Sequence, residues 1–114
     1  MTVEREVMPV TPRPPLVHPD IDDVELVAVL HALADPTRLT IVRTLRGERE
    51  RACGTFPVRV APSTLSHHFR VLREAGVIRQ REDGNRRWAM LRLAELDARF
   101  PSLIDIVLAS ATRG

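Results

Sequence analysis

Apolar residues recur at helical spacing in four segments of the chain. The pattern predicts helices over residues 21–34, 36–46, 62–75 and about 101–109. Asp35 and Pro36 form a typical helix start, because aspartate caps the first turn and proline lacks the amide donor that the first helical position leaves unused. Gly47 and Gly76 each follow a predicted helix, and glycine commonly ends one.

A short alternating stretch follows the third predicted helix. Apolar and polar residues alternate on both sides of Asp83-Gly84-Asn85, which favours a tight hairpin turn. We predict strands near 77–81 and 87–92, joined as a two-stranded ribbon, and a short helical turn before the last helix. Residues 48–61 are irregular, with room for one or two turns of helix around 52–56. A helix pair followed by a charged hairpin is a winged helix-turn-helix, a mainly α (α+β) fold.

The chain is predicted to contain one folded domain. Residues 1–19 hold five of the nine prolines and show no periodicity, so we expect a flexible proline-rich arm there. Residues 20–114 then form the domain, which is large enough for one modest core.

The first and last predicted helices are apolar around most of their circumference. Such a helix must be covered on more than one side. Because the chain is short, we predict that a second copy of the protein buries the remaining apolar side of both helices. The apolar residues are Val24, Leu26, Val27, Val29, Leu30 and Leu33 in the first helix, and Leu103, Ile104, Ile106, Val107 and Leu108 in the last.

Composition excludes several classes of protein. No apolar run approaches the length of a membrane span, and the charged N-terminus does not resemble a signal peptide. Cys53 is the single cysteine, so no disulfide can form within the chain. We therefore expect a cytoplasmic protein with no membrane partner.

The charge is unevenly distributed. The net charge is +2, and all 17 basic residues are arginine. Residues 36–92 hold thirteen arginines against five acids, whereas residues 1–35 and 93–114 both carry more acids than arginines. A basic middle indicates contact with a polyanion, although a solvated arginine-rich surface explains the charge equally well.

The predicted helix over 62–75 has one apolar and one polar face. Leu65, Phe69 and Leu72 share the apolar stripe at 100° per residue. The opposite face of the first turns carries hydroxyl groups, an imidazole and guanidinium groups, which can contact base edges and phosphates. The candidate DNA-contacting residues are Ser63, Thr64, Ser66, His67 and Arg70, with Arg73 just beside them.

Two adjacent histidines raise the alternatives of metal binding and catalysis. His67 and His68 point about 100° apart on a helix, whereas a helical chelate needs residues four apart. His67 faces outward and is a candidate for DNA contact, while His68 lies beside the apolar stripe and is expected to pack or to hydrogen-bond locally. No nucleophile, base and carboxylate set accompanies them, so we expect no enzymatic activity.

Arginines also surround the predicted hairpin turn. Arg79 and Arg81 lead into it, and Arg86 and Arg87 follow it. Such a tip can lie along a phosphate backbone or enter a minor groove. A charged edge that prevents aggregation is the alternative interpretation.

The segments ALADPTRLTIVRTL, STLSHHFRVLREAGVI and RRWAMLRL, in this order and spacing, resemble the ArsR/SmtB family of bacterial winged-helix repressors. The resemblance covers roughly residues 25–93. It implies a cytoplasmic homodimer joined through its first and last helices, bound to palindromic double-stranded operator DNA and released by an inducer. Carried over by position, it implies operator contacts by the five exposed residues of the 62–75 helix and wing contacts by Arg86 and Arg87.

This sequence departs from the metal-sensing members of that family. They carry a Cys-x-Cys pair before the recognition helix, or Asp and His ligands on the last helix. Here RACGTFPVRV contains Cys53 alone, and residues 94–114 contain no histidine. A dimer would supply two thiolates, which are too few for a soft-metal site. We expect neither a metal site nor a cofactor.

Two roles remain open for Cys53. It can be a small packing residue, or a redox-sensing thiol whose pKa is lowered by Arg49 and Arg51. The second role gives one alternative function, a thiol-based redox-sensing regulator. The other alternative is a winged-helix module that binds protein, whose function would survive replacement of Ser63, His67 and Arg70.

Overall fold

The computed structural model describes residues 16–112, so most of the proline-rich arm predicted over 1–19 lies outside the described residues. Within residues 16–112, five α-helices, three β-strands and two 3-10 turns form the predicted winged helix-turn-helix. The helices are α1 (Leu26–Leu33), α2 (Pro36–Arg46), α3 (Pro62–Glu74), α4 (Leu93–Arg99) and α5 (Leu103–Thr112). The strands are β1 (Arg51–Ala52), β2 (Ile78–Asp83) and β3 (Arg86–Leu91), and the 3-10 turns are Ile21–Asp23 and Cys53–Thr55.

The start of the domain differs from the prediction. A continuous helix over 21–34 is wrong, because Val24 and Glu25 are extended between the Ile21–Asp23 turn and α1. Val24 is only 2% exposed and packs against Gly76, just after α3. The extended backbone allows this valine to enter the core, so a tertiary contact overrides the local helical pattern.

Gly76 ends α3 in a left-handed conformation with a φ of 89°. The Val77 amide donates to the Leu72 carbonyl (2.9 Å) and the Gly76 amide to the Arg73 carbonyl (3.1 Å), which is a Schellman motif. A Cβ on Gly76 would overlap the methyl groups of Val24. Glycine is therefore required here by both conformation and space.

Gly76→Ala should lower the free energy of unfolding by about 2–4 kcal/mol, since strain and overlap add. Urea unfolding followed by circular dichroism measures this change. Gly54→Ala is the matched control: no atom lies within 4 Å of its added Cβ, and we expect a change within about 0.5 kcal/mol. Equal effects of the two substitutions would contradict this assignment.

Helix α2 begins as predicted. The Asp35 carboxylate accepts a hydrogen bond from the Arg38 amide (3.0 Å), and Pro36 is at the first helical position. Ile41, Val42 and Leu45 bury one face of this helix in the core. Asp35 and Pro36 therefore fix the start of α2 through local interactions.

The wing contains the predicted two-stranded hairpin, and β1 extends it to a three-stranded antiparallel sheet in the order β1-β3-β2 within the described residues. Strand β2 pairs with β3 from Ile78↔Leu91 to Asp83↔Arg86, and β1 adds the pairs Arg51↔Ala89 and Ala52↔Trp88. Gly84 has a φ of 63° at the predicted turn. A two-residue strand is too short to show periodicity, which is why the sequence pattern missed β1.

The C-terminal part also contains more helix than predicted. Helix α4 replaces the expected helical turn, and its Leu96 is fully buried. Helix α5 buries Ile104 and Leu108, and the Asp105 carboxylate pairs with the Arg46 guanidinium of α2 (2.8 Å). These contacts hold the two C-terminal helices on the core.

Across residues 16–112, no helix has the length and apolar character needed to cross a membrane.

Candidate nucleic-acid interface

Helix α3 is anchored by its apolar face and presents its polar face to solvent. His68, Phe69 and Leu72 are buried, and the ring of Phe69 meets that of Phe56 edge-on at 5.3 Å. The five predicted DNA-contacting residues of the opposite face are all exposed: Ser63, Thr64, Ser66, His67 and Arg70. The structure thus has the division of faces that the sequence predicts, with the polar face free to meet a ligand.

The first turn of α3 has no side-chain cap. Ala61 is at the N-cap position, its side chain accepts no hydrogen bond, and Pro62 follows it. The amides of this turn and the positive end of the helix dipole therefore face outward together with the hydroxyl groups of Ser63 and Thr64. Such a helix end suits an anionic group such as a phosphate.

A cleft separates α3 from the wing, and basic side chains converge on it. The lining residues are Ser63, Ser66, His67, Arg70, Arg73 and Arg87. We call this the α3–wing cleft. Its hydroxyl and guanidinium groups are hydrogen-bond donors of the kind that bind phosphate oxygens.

Two arginines of the α3–wing cleft are oriented by other side chains. Arg73 donates from Nη1 to the Gln80 Oε1 atom (2.6 Å), and Arg87 donates from Nη2 to the Glu82 carboxylate (2.8 Å). The Nε atoms of both arginines are buried and have no hydrogen-bond partner within residues 16–112. Each guanidinium is thus fixed at one end and retains an unused donor.

The positive charges in the α3–wing cleft repel one another. Burial lowers the pKa of Arg73; the charges of Arg87 and Arg70 lower it further, against the opposing effect of Glu74. The group remains positively charged at neutral pH, because an arginine pKa lies far above 7. An anion in the cleft would relieve this repulsion.

Arg86 and Trp88 lie together on the wing. Arg86 is exposed beside the turn, and its guanidinium stacks 5.4 Å from the centre of the Trp88 ring. Arg81 stacks on the same ring at 5.5 Å but also pairs with Glu50. Arg79 pairs with Glu95, so Arg86 is the wing arginine that projects most freely near the turn.

The two histidines of α3 have different surroundings. His67 is exposed, and its Nδ1 atom lies 3.4 Å from Nη2 of Arg70. His68 is buried, with its Nδ1 atom 3.0 Å from Nη1 of Arg38 on α2. No group of three or more His, Cys, Asp or Glu side chains in the described part of the chain could hold a metal ion.

Sequence reasoning missed the role of Arg38. This arginine is only 8% exposed, although arginine is rarely buried. The available signal was its spacing of three, four and seven residues from Ile41, Val42 and Leu45, which places all four residues on one face of α2.

Cys53 is half-buried at the start of the second 3-10 turn. Its sulfur accepts a hydrogen bond from the Gln80 Nε2 atom (3.4 Å). Burial raises the pKa of the Cys53 thiol, against the opposing effects of the Gln80 hydrogen bond and the Arg87 charge. Arg51 instead pairs with Glu48 and donates to the Thr55 carbonyl. These contacts favour the packing role.

Comparison with known proteins gives consistent matches. A family model described as a helix-turn-helix domain matches residues 33–81. The uncharacterized HTH-type transcriptional regulator YceK of Bacillus subtilis (strain 168) is 32% identical over 87 residues, which cover 74% of this chain and 87% of that protein. The arsenical resistance operon repressor of Staphylococcus aureus is 35% identical over 74 residues, or 64% of this chain and 71% of the repressor.

A solved structure supports the same fold. The crystal structure of the transcriptional repressor BigR from Xylella fastidiosa superposes with a TM-score of 0.60 at 25% sequence identity. The superposition covers 75% of this chain and 84% of BigR.

Proposed function

Because the chain belongs to the ArsR family of winged-helix transcriptional regulators, we propose that it binds a palindromic operator as a homodimer and represses transcription until a signal releases it. The observation that carries this proposal is the exposed face of α3, where hydroxyl, imidazole and guanidinium groups lie side by side. Its partners are double-stranded DNA and a second copy of the chain, in the cytoplasm where operator DNA lies.

Helix α3 is the element that would enter the major groove. An α-helix fits this groove, where each base pair presents a distinct pattern of donors and acceptors. Arg70 can donate two hydrogen bonds to a guanine, and Ser66 and His67 can contact neighbouring bases or phosphates. Ser63 and Thr64, at the uncapped helix start, suit a backbone phosphate.

The α3–wing cleft would hold the phosphate backbone beside the groove. The side chains of Arg73 and Arg87 line this cleft, and a phosphate would neutralise the repulsion between their charges. Arg86, at the wing turn, is placed to follow the backbone or to reach into the minor groove. These contacts give affinity and register, whereas the α3 residues read the bases.

Exposed apolar side chains support the homodimer. Leu26, Val27 and Leu30 of α1 are 42%, 78% and 43% exposed, and Ile106 of α5 is 59% exposed. Their exposure to water is unfavourable, and a second copy covering α1 and α5 would bury them. A dimer would also present two α3 helices to two half-sites.

Selection of duplexes from a random library tests the proposal. The protein should enrich one palindromic sequence and bind it about 1,000-fold or more tightly than a shuffled duplex at physiological salt, as specific regulators do. Fluorescence anisotropy measures both affinities. Failure to enrich any sequence would contradict the proposal and favour a protein-binding role.

Arg87→Gln should weaken binding to selected and shuffled duplexes alike, because this residue is proposed to contact phosphate. The slope of log affinity against log salt should fall by about 1 per subunit, and so by about 2 for the dimer on the palindrome. Arg46→Gln, the matched control, removes the same charge where α2 meets α5 and should leave the slope unchanged. An Arg87 variant with an unchanged slope would remove this residue from the interface.

A further inference from the structure

Arg38 joins the end of α1 to the start of α2. Its amide is held by the Asp35 carboxylate, and its side chain turns back under the preceding helix. The Nε atom donates to the Ala32 carbonyl (2.6 Å), and the Nη2 atom donates to the His31 carbonyl (3.4 Å). These carbonyls belong to the last turn of α1, where helices lack internal donors. Arg38 therefore supplies a donor to the Ala32 carbonyl and a second donor to the His31 carbonyl, which also accepts from the Ala34 amide (3.1 Å). These contacts fix the guanidinium in one orientation.

The remaining nitrogen of this fixed guanidinium reaches α3. Nη1 of Arg38 lies 3.0 Å from Nδ1 of His68, and both residues are only 8% exposed. A guanidinium has donors and no acceptor, so Nδ1 of His68 must accept and the neutral ring carries its proton on Nε2. A carboxylate oxygen of Asp35 is 3.9 Å from the same Nδ1 atom, which is too far for a hydrogen bond.

We propose that Arg38 and His68 are positioning residues that fix the rotation of α3 about its own axis, and so determine which side chains meet the bases. The proposal rests on the proposed DNA-binding function. Phe69 and Leu72 anchor α3 through apolar contacts, which have little directional preference. The hydrogen bond to His68 is directional, and it ties α3 to two other helices.

A small rotation would matter because reading bases demands accurate geometry. On a helix whose side chains extend about 5–6 Å from the axis, a rotation of 10° moves them by about 1 Å. Such a shift breaks a bidentate hydrogen bond to a base, while a charge contact to phosphate tolerates it. Loss of the Arg38–His68 bond should therefore reduce sequence discrimination more than general affinity for DNA.

Two substitutions of His68 distinguish a role in positioning α3 from a general effect on the stability of the fold. His68→Leu keeps the volume but removes the acceptor, whereas His68→Asn retains an acceptor oxygen near the place of Nδ1. Ile41→Val is the control, because it loosens the core under α2 without touching the hydrogen bond. Affinity for the selected duplex and for a shuffled duplex is measured by anisotropy at one salt concentration, at a temperature where circular dichroism shows each variant folded.

We expect His68→Leu to weaken binding to the selected duplex about tenfold and to the shuffled duplex by about twofold or less. His68→Asn should stay within about threefold of the wild type on both. The proposal is overturned if His68→Leu retains discrimination, if it loses both affinities in parallel, or if His68→Asn behaves like His68→Leu. A wild-type protein that does not discriminate between the duplexes would instead reject the DNA-binding function itself.

A second measurement does not depend on a folded variant. Long-range proton–nitrogen NMR spectra of the wild-type protein report which ring nitrogen of His68 is protonated. The proposal requires an unprotonated Nδ1 and a protonated Nε2 at neutral pH. A proton on Nδ1 would overturn it, because that nitrogen could not then accept from Arg38.

Discussion

Alanine at Ser66, His67 and Arg70 together should abolish the preference of the protein for its selected duplex. A good base contact contributes about 1–3 kcal/mol of discrimination, so losing several lowers specific affinity by about 100-fold or more. Affinity for shuffled DNA should fall far less, because only one formal positive charge is removed. The three side chains are exposed, so the fold should be retained.

Anisotropy titrations with the selected and shuffled duplexes test this prediction. Arg46→Ala is the control, because it removes an arginine that pairs with Asp105 of α5. This variant should bind both duplexes as tightly as the wild type does. If the triple variant still prefers the selected duplex, α3 does not read the bases and a different surface must be responsible.

Substitution of charged residues into the exposed apolar faces of α1 and α5 should dissociate the proposed dimer. Val27→Asp combined with Ile106→Asp places carboxylates on side chains that are 78% and 59% exposed, so the folded subunit should tolerate them. Burial of these charges in a subunit interface would be strongly unfavourable. Because each subunit would then bind one half-site alone, affinity for the palindrome should fall by about 100-fold or more.

Sedimentation velocity measures the oligomeric state, and anisotropy measures binding to the palindrome and to a single half-site. Val17→Asp is the control for oligomeric state, since it charges a valine that is 70% exposed but lies outside α1 and α5. A double variant that remains dimeric, or a monomer with full affinity for the palindrome, would refute the proposed interface.

Features set by local chemistry were predictable from sequence. Asp35 and Pro36 start α2, Gly76 ends α3, and Gly84 forms the hairpin turn, because each acts through its own backbone. The exposed and buried faces of α3 follow from helical periodicity alone. Most of the candidate interface could therefore be predicted from the sequence.

Features set by distant contacts were not predictable. Val24 interrupts the first predicted helix because it packs against Gly76, which is far away in sequence. Strand β1 exists because Arg51 and Ala52 pair with β3. Arg38 is buried because α1 offers it carbonyls and His68 offers an acceptor.

Cys53 illustrates the same distinction between sequence and spatial neighbours. Arg49 and Arg51 flank it in sequence, yet Arg51 is held by Glu48 and by the Thr55 carbonyl. The buried side chain of Gln80 is the group that donates to the sulfur, and burial raises the pKa of this thiol. Sequence proximity to arginine was not sufficient to predict an acidic thiol.

Recognition of a palindrome by this protein requires α3 of each subunit to lie in the major groove of one half-site. A DNA-cleaving iron chelate attached through Ala61→Cys, the exposed residue that precedes α3, in a Cys53→Ser background, reports that position directly on the selected duplex. Two clusters of strand cleavage should appear, related by the dyad of the palindrome and separated by about 10 base pairs or a multiple of this spacing. Tight binding with no cleavage, or with cleavage at a single half-site, would contradict the placement of α3 in the major groove of both half-sites.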